Sequence, residues 1–458
     1  MGNKTRFILF SILIVLCCFL YSLDNKSPES YSTRHMSLEE QIGQLLMVHF
    51  HGEIANEDSA ILIQDLHIGG IIYYTWANTL ASPYQIQQLS MSLQNQVLKH
   101  RPPLLIATDQ EGGVVTRLEA GFTPFPGNRA LGQTRDPHLA CQSAYLTARE
   151  LHRVGINMNL APVVDVASDV FEPVIGIRSF SDDPAQVSVF GRKALQGYRQ
   201  AHLISTIKHF PGYGAVTSDP HLTLPILHAS QQELERCEFL PFRALAPHAD
   251  VVMTAHLLTP ALDPQKCATL SRPTLRYLRE QIGFQGVILS DSLAMAGVVS
   301  TCSSIDEAAI QALEAGCDLL LLGGRTLLDA EHSLELCTED VRRIHRHLVQ
   351  AVKEGRIPEA QVRASVQRVL ALKKRYARFL THVDPHLTSY TSVTSSESQA
   401  LAKHIAARAI SIKHEDLSLQ QTLLTHHVTV LAPEMLRTKL LSSSFTTPLI
   451  SCLFFQNL

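Results

Sequence analysis

The fourteen-residue run Lys208-His-Phe-Pro-Gly-Tyr-Gly-Ala-Val-Thr-Ser-Asp-Pro-His221 holds the densest set of chemically useful side chains in the sequence. It leaves an apolar segment in Lys208-His209, turns on Pro211, Gly212 and Gly214, and sets Asp219 two residues before His221. An aspartate at that spacing can accept the imidazole Nδ1–H, fix the tautomer and stabilise the imidazolium. The histidine then becomes a general acid and base near neutral pH. The glycines suit a mobile loop that carries such a group over a pocket. Alone, the Asp-x-His triplet also reads as an Asx-turn with an exposed histidine. A second candidate, Ser290-Asp291, ends an apolar run; its carboxylate can face a pocket as a nucleophile or cap the helix that follows. In Thr108-Asp109-Gln-Glu-Gly-Gly-Val-Val-Thr-Arg117 the paired glycines let the backbone approach a ligand. Asp109 can accept from hydroxyls there and Arg117 can donate to an oxygen, or the segment is a tight turn with a local salt bridge. Arg178 stands in a glycine-containing loop at 173–180.

These residues need elements to position them. Short apolar runs at 45–50, 70–74, 104–109, 157–166, 205–210, 250–256, 286–291 and 318–323 alternate with helix-like segments at 85–99, 137–153, 184–202, 231–245, 274–283 and 305–316. Continuous apolar strands between amphipathic helices mean a parallel sheet covered on both faces. Eight such units predict an α/β chain folded as a (β/α)8 TIM-type barrel, with an open doubly wound sheet as the alternative. Five runs end in or near Asp109, Asp165, Lys208-His209, His256 and Asp291. In a barrel those ends open on one face, where catalytic residues collect. Further helical sequence follows at 331–355 and 359–379.

The ends of the chain differ from this pattern. Lys4 and Arg6 precede an uncharged apolar run, so residues 1–23 read as a secretory signal or a membrane anchor through 7–23, and 24–36 as a linker. The protein is therefore expected to be exported, periplasmic or held at the inner membrane, rather than cytoplasmic. Ser37 and Glu40 form a capping box that starts the barrel, expected over 37–380. A Ser/Thr-rich linker at 381–398 leads to an incomplete C-terminal segment, 399–458, with a helix at 396–409 and strands at 410–413 and 428–432. Among the 458 residues, 45% are apolar and 18% charged, which excludes general disorder, and a net charge of −3 gives no basic surplus for nucleic acid. The nine cysteines form no CxxC pair. No HExxH, GxGxxG or GxxxxGK[ST] pattern is present, so neither a metal nor a nucleotide cofactor is expected.

Together, in this order on a β/α repeat, the motifs resemble glycoside hydrolase family 3, and within it the β-N-acetylhexosaminidase branch that removes N-acetylglucosamine from peptidoglycan fragments. The resemblance runs from about Ser37 to Phe379. It implies a barrel, a retaining reaction with Asp291 as nucleophile, and His221 with Asp219 as the acid/base dyad. It also implies a sugar held by Asp109, Arg117, Arg178 and the Lys208-His209 pair, with His256 added as a sixth binding residue from its strand end. Pro220 stands where the branch carries Ser or Thr, which fixes φ between the dyad residues. Val114 replaces a frequent arginine, and too little chain follows residue 406 to complete the family's second domain. A β-glucosidase of the same family, or a non-catalytic saccharide-binding homologue anchored at the membrane, are the alternatives.

Overall fold

In the computed structural model, residues 33–167, 174–214, 216, 224–327, 333–389, 392–410, 428–433 and 450–455 are described. Runs of leucine, isoleucine and valine, buried on both faces, form eight parallel strands. They are β1 (Leu46–Val48), β2 (Gly70–Ile72), β3 (Leu105–Thr108), β4 (Met158–Asn159), β5 (Ile204–Phe210), β6 (Val251–Thr254), β7 (Val287–Leu289) and β8 (Leu320–Leu322). Every residue in them is buried. Each strand pairs with the next in sequence. Ile71 lies opposite Ile106, Met158 opposite Ile204 and Val252 opposite Ile288. Leu46 pairs with Leu320, and a Leu289–Leu319 bridge closes the ring. This is the (β/α)8 barrel the alternation predicts.

The surrounding helices begin where their sequences say they should. Ser82, Asp136, Asp183 and Ser271 each cap a helix with proline in its first turn: Pro83–Gln96, Pro137–Arg153, Pro184–Gln200 and Arg272–Glu280. The capping box at Ser37 and Glu40 opens the helix Leu38–Gln44 under the barrel. Buried charges tie the N-terminal ends of the strands. Asp318 accepts from Ser365 Oγ at 2.8 Å and from Arg368 at 2.9 Å, and also pairs with Arg279. Lys373, fully buried, donates to Gln44 Oε1 at 2.9 Å.

Several expectations are corrected. The run 157–166 is a strand only over Met158–Asn159, because Pro162 has no N–H to donate; an isolated Val163–Lys208 bridge follows. The helix expected over 231–245 is two helices, Gln231–Arg236 and Phe239–Leu245, separated at Cys237, whose backbone (φ −119°, ψ −84°) is not helical. The helix expected from 331 begins at Thr338, since Arg325–Leu327 and Ser333–Glu335 pair as an antiparallel hairpin after β8. The 381–398 segment is no free linker. Asp384 pairs with Arg153 at 2.8 Å, Val393 N–H donates to the Gly121 carbonyl at 2.9 Å, and Leu387 and Val393 are buried. The helix Ser396–Ala409 buries Ala402 and Ile405, so the barrel's compact unit runs through Ala409.

Residues 410–458 form a second unit, in which strands Val428–Pro433 and Ile450–Phe455 pair in parallel. The strand expected at 410–413 falls, apart from Ile410, outside the described residues, as does the whole 1–23 signal or anchor. Among the described residues no helix is long and apolar enough to cross a membrane.

Candidate active site

At the end of β3 the chain passes Asp109 and folds into a small antiparallel hairpin, Gln110–Gly112 with Val115–Thr116. Gln110 fixes it. Its Oε1 accepts from the N–H groups of Arg117 and Leu118, both at 3.0 Å, and its backbone exchanges bonds with the Asn159 amide at 2.9 and 3.0 Å. Gly112 and Gly113 take φ of +87° and +61°, and a Cβ on Gly113 would lie 3.0 Å from the Gly127 backbone. Only glycine serves there. Side chains two apart on extended chain point to one side, so Asp109 and Glu111 reach the same neighbours.

Those neighbours are cations. Lys208 Nζ lies 2.8 Å from Asp109 Oδ1 and 2.8 Å from Glu111 Oε1. Arg178 grips Glu111 through both oxygens, at 2.8 and 2.9 Å, and Arg117 lies 3.8 Å from Asp109. Burial alone would raise the Glu111 carboxyl, but Arg178 and Lys208 outweigh it and hold it well below the usual carboxylate range. Burial likewise opposes the Lys208 ammonium, yet Asp109 and Glu111 raise it above its ordinary value. Glu111 raises the Arg178 guanidinium in the same way.

The next strand ends supply the remaining groups. Buried Asp165 accepts from the backbone N–H of His209 and of Tyr213, and its Oδ2 lies 2.8 Å from His209 Nδ1. Gly214 follows, where a Cβ would fall 1.6 Å from the Val166 carbonyl oxygen. This glycine of the Lys208–His221 run serves close packing at the root of the loop, not mobility. Asp219 and His221 lie outside the described residues. Asp291 follows β7, its Oδ1 accepting from Ser292 N–H at 2.7 Å. The next helix is Ala296–Val299, capped at Met295, so Asp291 caps no helix and the alternative reading of that carboxylate falls.

A cavity of about 600 Å³ opens on this face, within the range of small-molecule sites. Asp109, Glu111, Arg117, Arg178, Lys208, His209, Tyr213 and Asp291 all line it, together with Tyr74, Trp76, Met295 and Arg325. His256 does not. It is fully buried, its Nε2–H donates to the Ser292 carbonyl at 2.7 Å and its Nδ1 lies 2.9 Å from Thr269 Oγ1. Its expected place against substrate is therefore corrected to one behind the wall, holding the segment after Asp291. Arg178 lines the cavity but is committed to Glu111.

Sequence reasoning quoted Glu111 without giving it a part, although its two-residue spacing from Asp109 was a usable signal. It missed the rim altogether. Tyr74 and Trp76, the chain's single tryptophan, stack at 5.1 Å between centroids, and Arg325 lies 4.1 Å over the Trp76 ring. Behind them His49, His51 and Glu335 form the one group of metal-ligating side chains found together among the described residues.

The model of the glycosyl hydrolase family 3 N-terminal domain matches residues 37–372. A β-hexosaminidase of Nitrosomonas eutropha is 34% identical over 284 residues, 60% of this chain and 80% of that protein. Among solved structures, a family 3 β-N-acetylglucosaminidase from Paenibacillus sp. str. FPU-7 is 37% identical, with a TM-score of 0.78 over 87% of this chain and 73% of that one. NagZ from Neisseria gonorrhoeae, solved in complex with N-trifluoroacetyl-D-glucosamine, is 29% identical, with a TM-score of 0.61 over 80% of this chain and 98% of that one.

Proposed function

Because the chain belongs to glycosyl hydrolase family 3, as a β-hexosaminidase hydrolysing N-acetylglucosaminides, we propose that it releases terminal non-reducing N-acetylglucosamine from peptidoglycan-type fragments through a covalent glycosyl-Asp291 intermediate. The observation that carries this reading is the Asp291 carboxylate at a strand end, in one cavity with the Asp109–Lys208–Glu111–Arg178 ion cluster.

An Asp291 oxygen forms a bond to the anomeric carbon as the bond to the aglycone oxygen breaks, and His221 gives that oxygen its proton. His221, now neutral, takes a proton from water as the water displaces Asp291 from the anomeric carbon, so configuration is retained over two inversions. Asp219 orients the imidazole throughout. Asp109, Arg117 and Lys208 hold the hydroxyls and the acetamido group, with Arg178 and His209 completing the wall. A histidine in place of a second carboxylate avoids a like charge beside an aglycone that carries a lactyl carboxylate. Residues 1–23 direct export or anchoring in the same proposal, and a reporter active only outside the cytoplasm, fused to residues 1–35, tests that arm.

The enzymatic test compares chromogenic N-acetylglucosaminide and glucoside substrates and adds a slow fluorinated analogue of the former. Preference for the N-acetylated sugar, a label on Asp291, and near-total loss of turnover in Asp291→Asn with the fold intact are expected. A label on another carboxylate overturns the assignment.

A further inference from the structure

We propose that His49, His51 and Glu335 form a binding site for a divalent transition-metal ion of the zinc class, at the rim of the cavity and apart from the groups that act on the sugar. His49 and His51 alternate along the chain as it leaves β1, and Glu335 ends the hairpin that follows β8. Closure of the barrel between β1 and β8 makes these two segments neighbours. One nitrogen or oxygen from each side chain lies within 4.8 Å of the other two, and His51 Nε2 is already 2.7 Å from Glu335 Oε2.

An independent observation points the same way. His49 is 3% exposed, and neither ring nitrogen makes a well-formed hydrogen bond, although the Leu322 carbonyl lies near the ring. Its imidazole packs edge-on against His51 and Trp76, with ring centroids at 5.8 and 4.9 Å. Buried polar atoms without partners are rare, and an ion held by this ring would satisfy one of them.

The donor set selects the ion. Two imidazoles and a carboxylate suit zinc, cobalt, nickel or copper, whereas magnesium and calcium prefer all-oxygen shells. Zinc–nitrogen bonds of roughly 2.0–2.1 Å require the three atoms to draw in to tetrahedral spacing. The half-exposed His51 can rotate to provide that. Glu335 Oε1 lies 2.5 Å from Arg325 Nε, which orients the carboxylate and leaves Oε2 for the ion. Binding would replace the hydrogen shared by His51 and Glu335 and tie the end of β1 to the hairpin that carries Arg325 over Trp76.

The test uses the full chain stripped with a chelator and titrated with zinc by calorimetry and with cobalt by visible absorption. One ion per chain and cobalt bands of a tetrahedral nitrogen–oxygen site are expected. His51→Ala, at an exposed position, and Glu335→Gln, at a partly buried one, both checked for folding by circular dichroism, are expected to weaken zinc binding by at least about 10–100-fold. His49→Ala should do the same where it folds. Absence of stoichiometric zinc in the wild type overturns the site. So does zinc affinity unchanged in His51→Ala and Glu335→Gln, which would put the ion elsewhere in the chain.

Discussion

Glu111→Gln is the substitution that best separates a built ion cluster from a chance gathering of charges. Glu111 makes three charge-assisted contacts, from Oε1 to Lys208 Nζ and Arg178 Nη2 at 2.8 Å each, and from Oε2 to Arg178 Nε at 2.9 Å. Glutamine keeps the shape and one acceptor, but its amide nitrogen turns a donor toward a guanidinium that has only donors to offer. Lys208 and Arg178 would then share a buried site with Asp109 as the remaining carboxylate in contact. Removing one partner of a buried pair costs about 3–5 kcal/mol. That is a large part of a total stability of roughly 5–15 kcal/mol, so the variant should fold and melt early. Displacing Lys208 and Arg178 should lower kcat/KM on an N-acetylglucosaminide by about 10²-fold, with KM raised.

The pH dependence has a definite sign. The folded-state value of Glu111 is depressed, so its contribution is complete above the ordinary value of 4.5 and drains away as pH falls below it. Urea melts of wild type and variant should therefore differ by a constant amount from pH 8 to 5 and converge in acid. A difference below about 1 kcal/mol at pH 7, with KM unchanged, would refute the reasoning.

Three other outcomes are expected. His221→Ala should lose about 10²–10⁴-fold on poor leaving groups and much less on a nitrophenyl glycoside, with azide restoring the rate as a retained glycosyl azide. Equal losses without rescue would leave His221 a binding or loop residue. Asp318→Ala should cost about 3–5 kcal/mol in urea melts while KM stays put, because Arg279 and Arg368 lose their shared carboxylate on the far face of the barrel. Burial pulls the Lys373 ammonium down to about 7 from an ordinary 10.5, so between those values the unfolded chain binds more protons and wild-type stability rises with pH. Lys373→Met should abolish that rise in thermal melts, and an identical slope would count against it.

The barrel was legible because its signals are local. Each strand is a short run of branched apolar residues, and four of the helices announce themselves with a Ser or Asp cap ahead of proline. What failed to show depended on partners distant in sequence. The hairpin after β8 passed for the start of a helix, since nothing near 331–335 reveals that Arg325–Leu327 lies beside it. His256 looked like a strand-end ligand because position alone cannot tell a side chain that enters the cavity from one bonded to Ser292 and Thr269. The His49/His51 pair carried no motif, because its third member lies 284 residues beyond His51. Only barrel closure brings them together.

Pairing also explains how the cavity keeps so many charges without a ligand. A sugar brings no ion to neutralise a buried lysine or arginine, so a site that offers cations to hydroxyls must supply its own counter-charges. Glu111 does this for Arg178 and Lys208 at once, and Asp109 for Lys208 and Arg117. The groups are fixed before substrate arrives, held by a hairpin whose geometry rests on Gln110, Asn159 and two glycines with positive φ. In the proposed reaction, binding then needs little reordering, and the dipoles that would face the sugar are already oriented when charge develops at the anomeric centre. Asp291 is set on a different strand end, its Oδ1 held by the Ser292 N–H. The prediction for Glu111→Gln rests on this separation: loosening the cluster should cost sugar affinity first, and leave the carboxylate of Asp291 where it is.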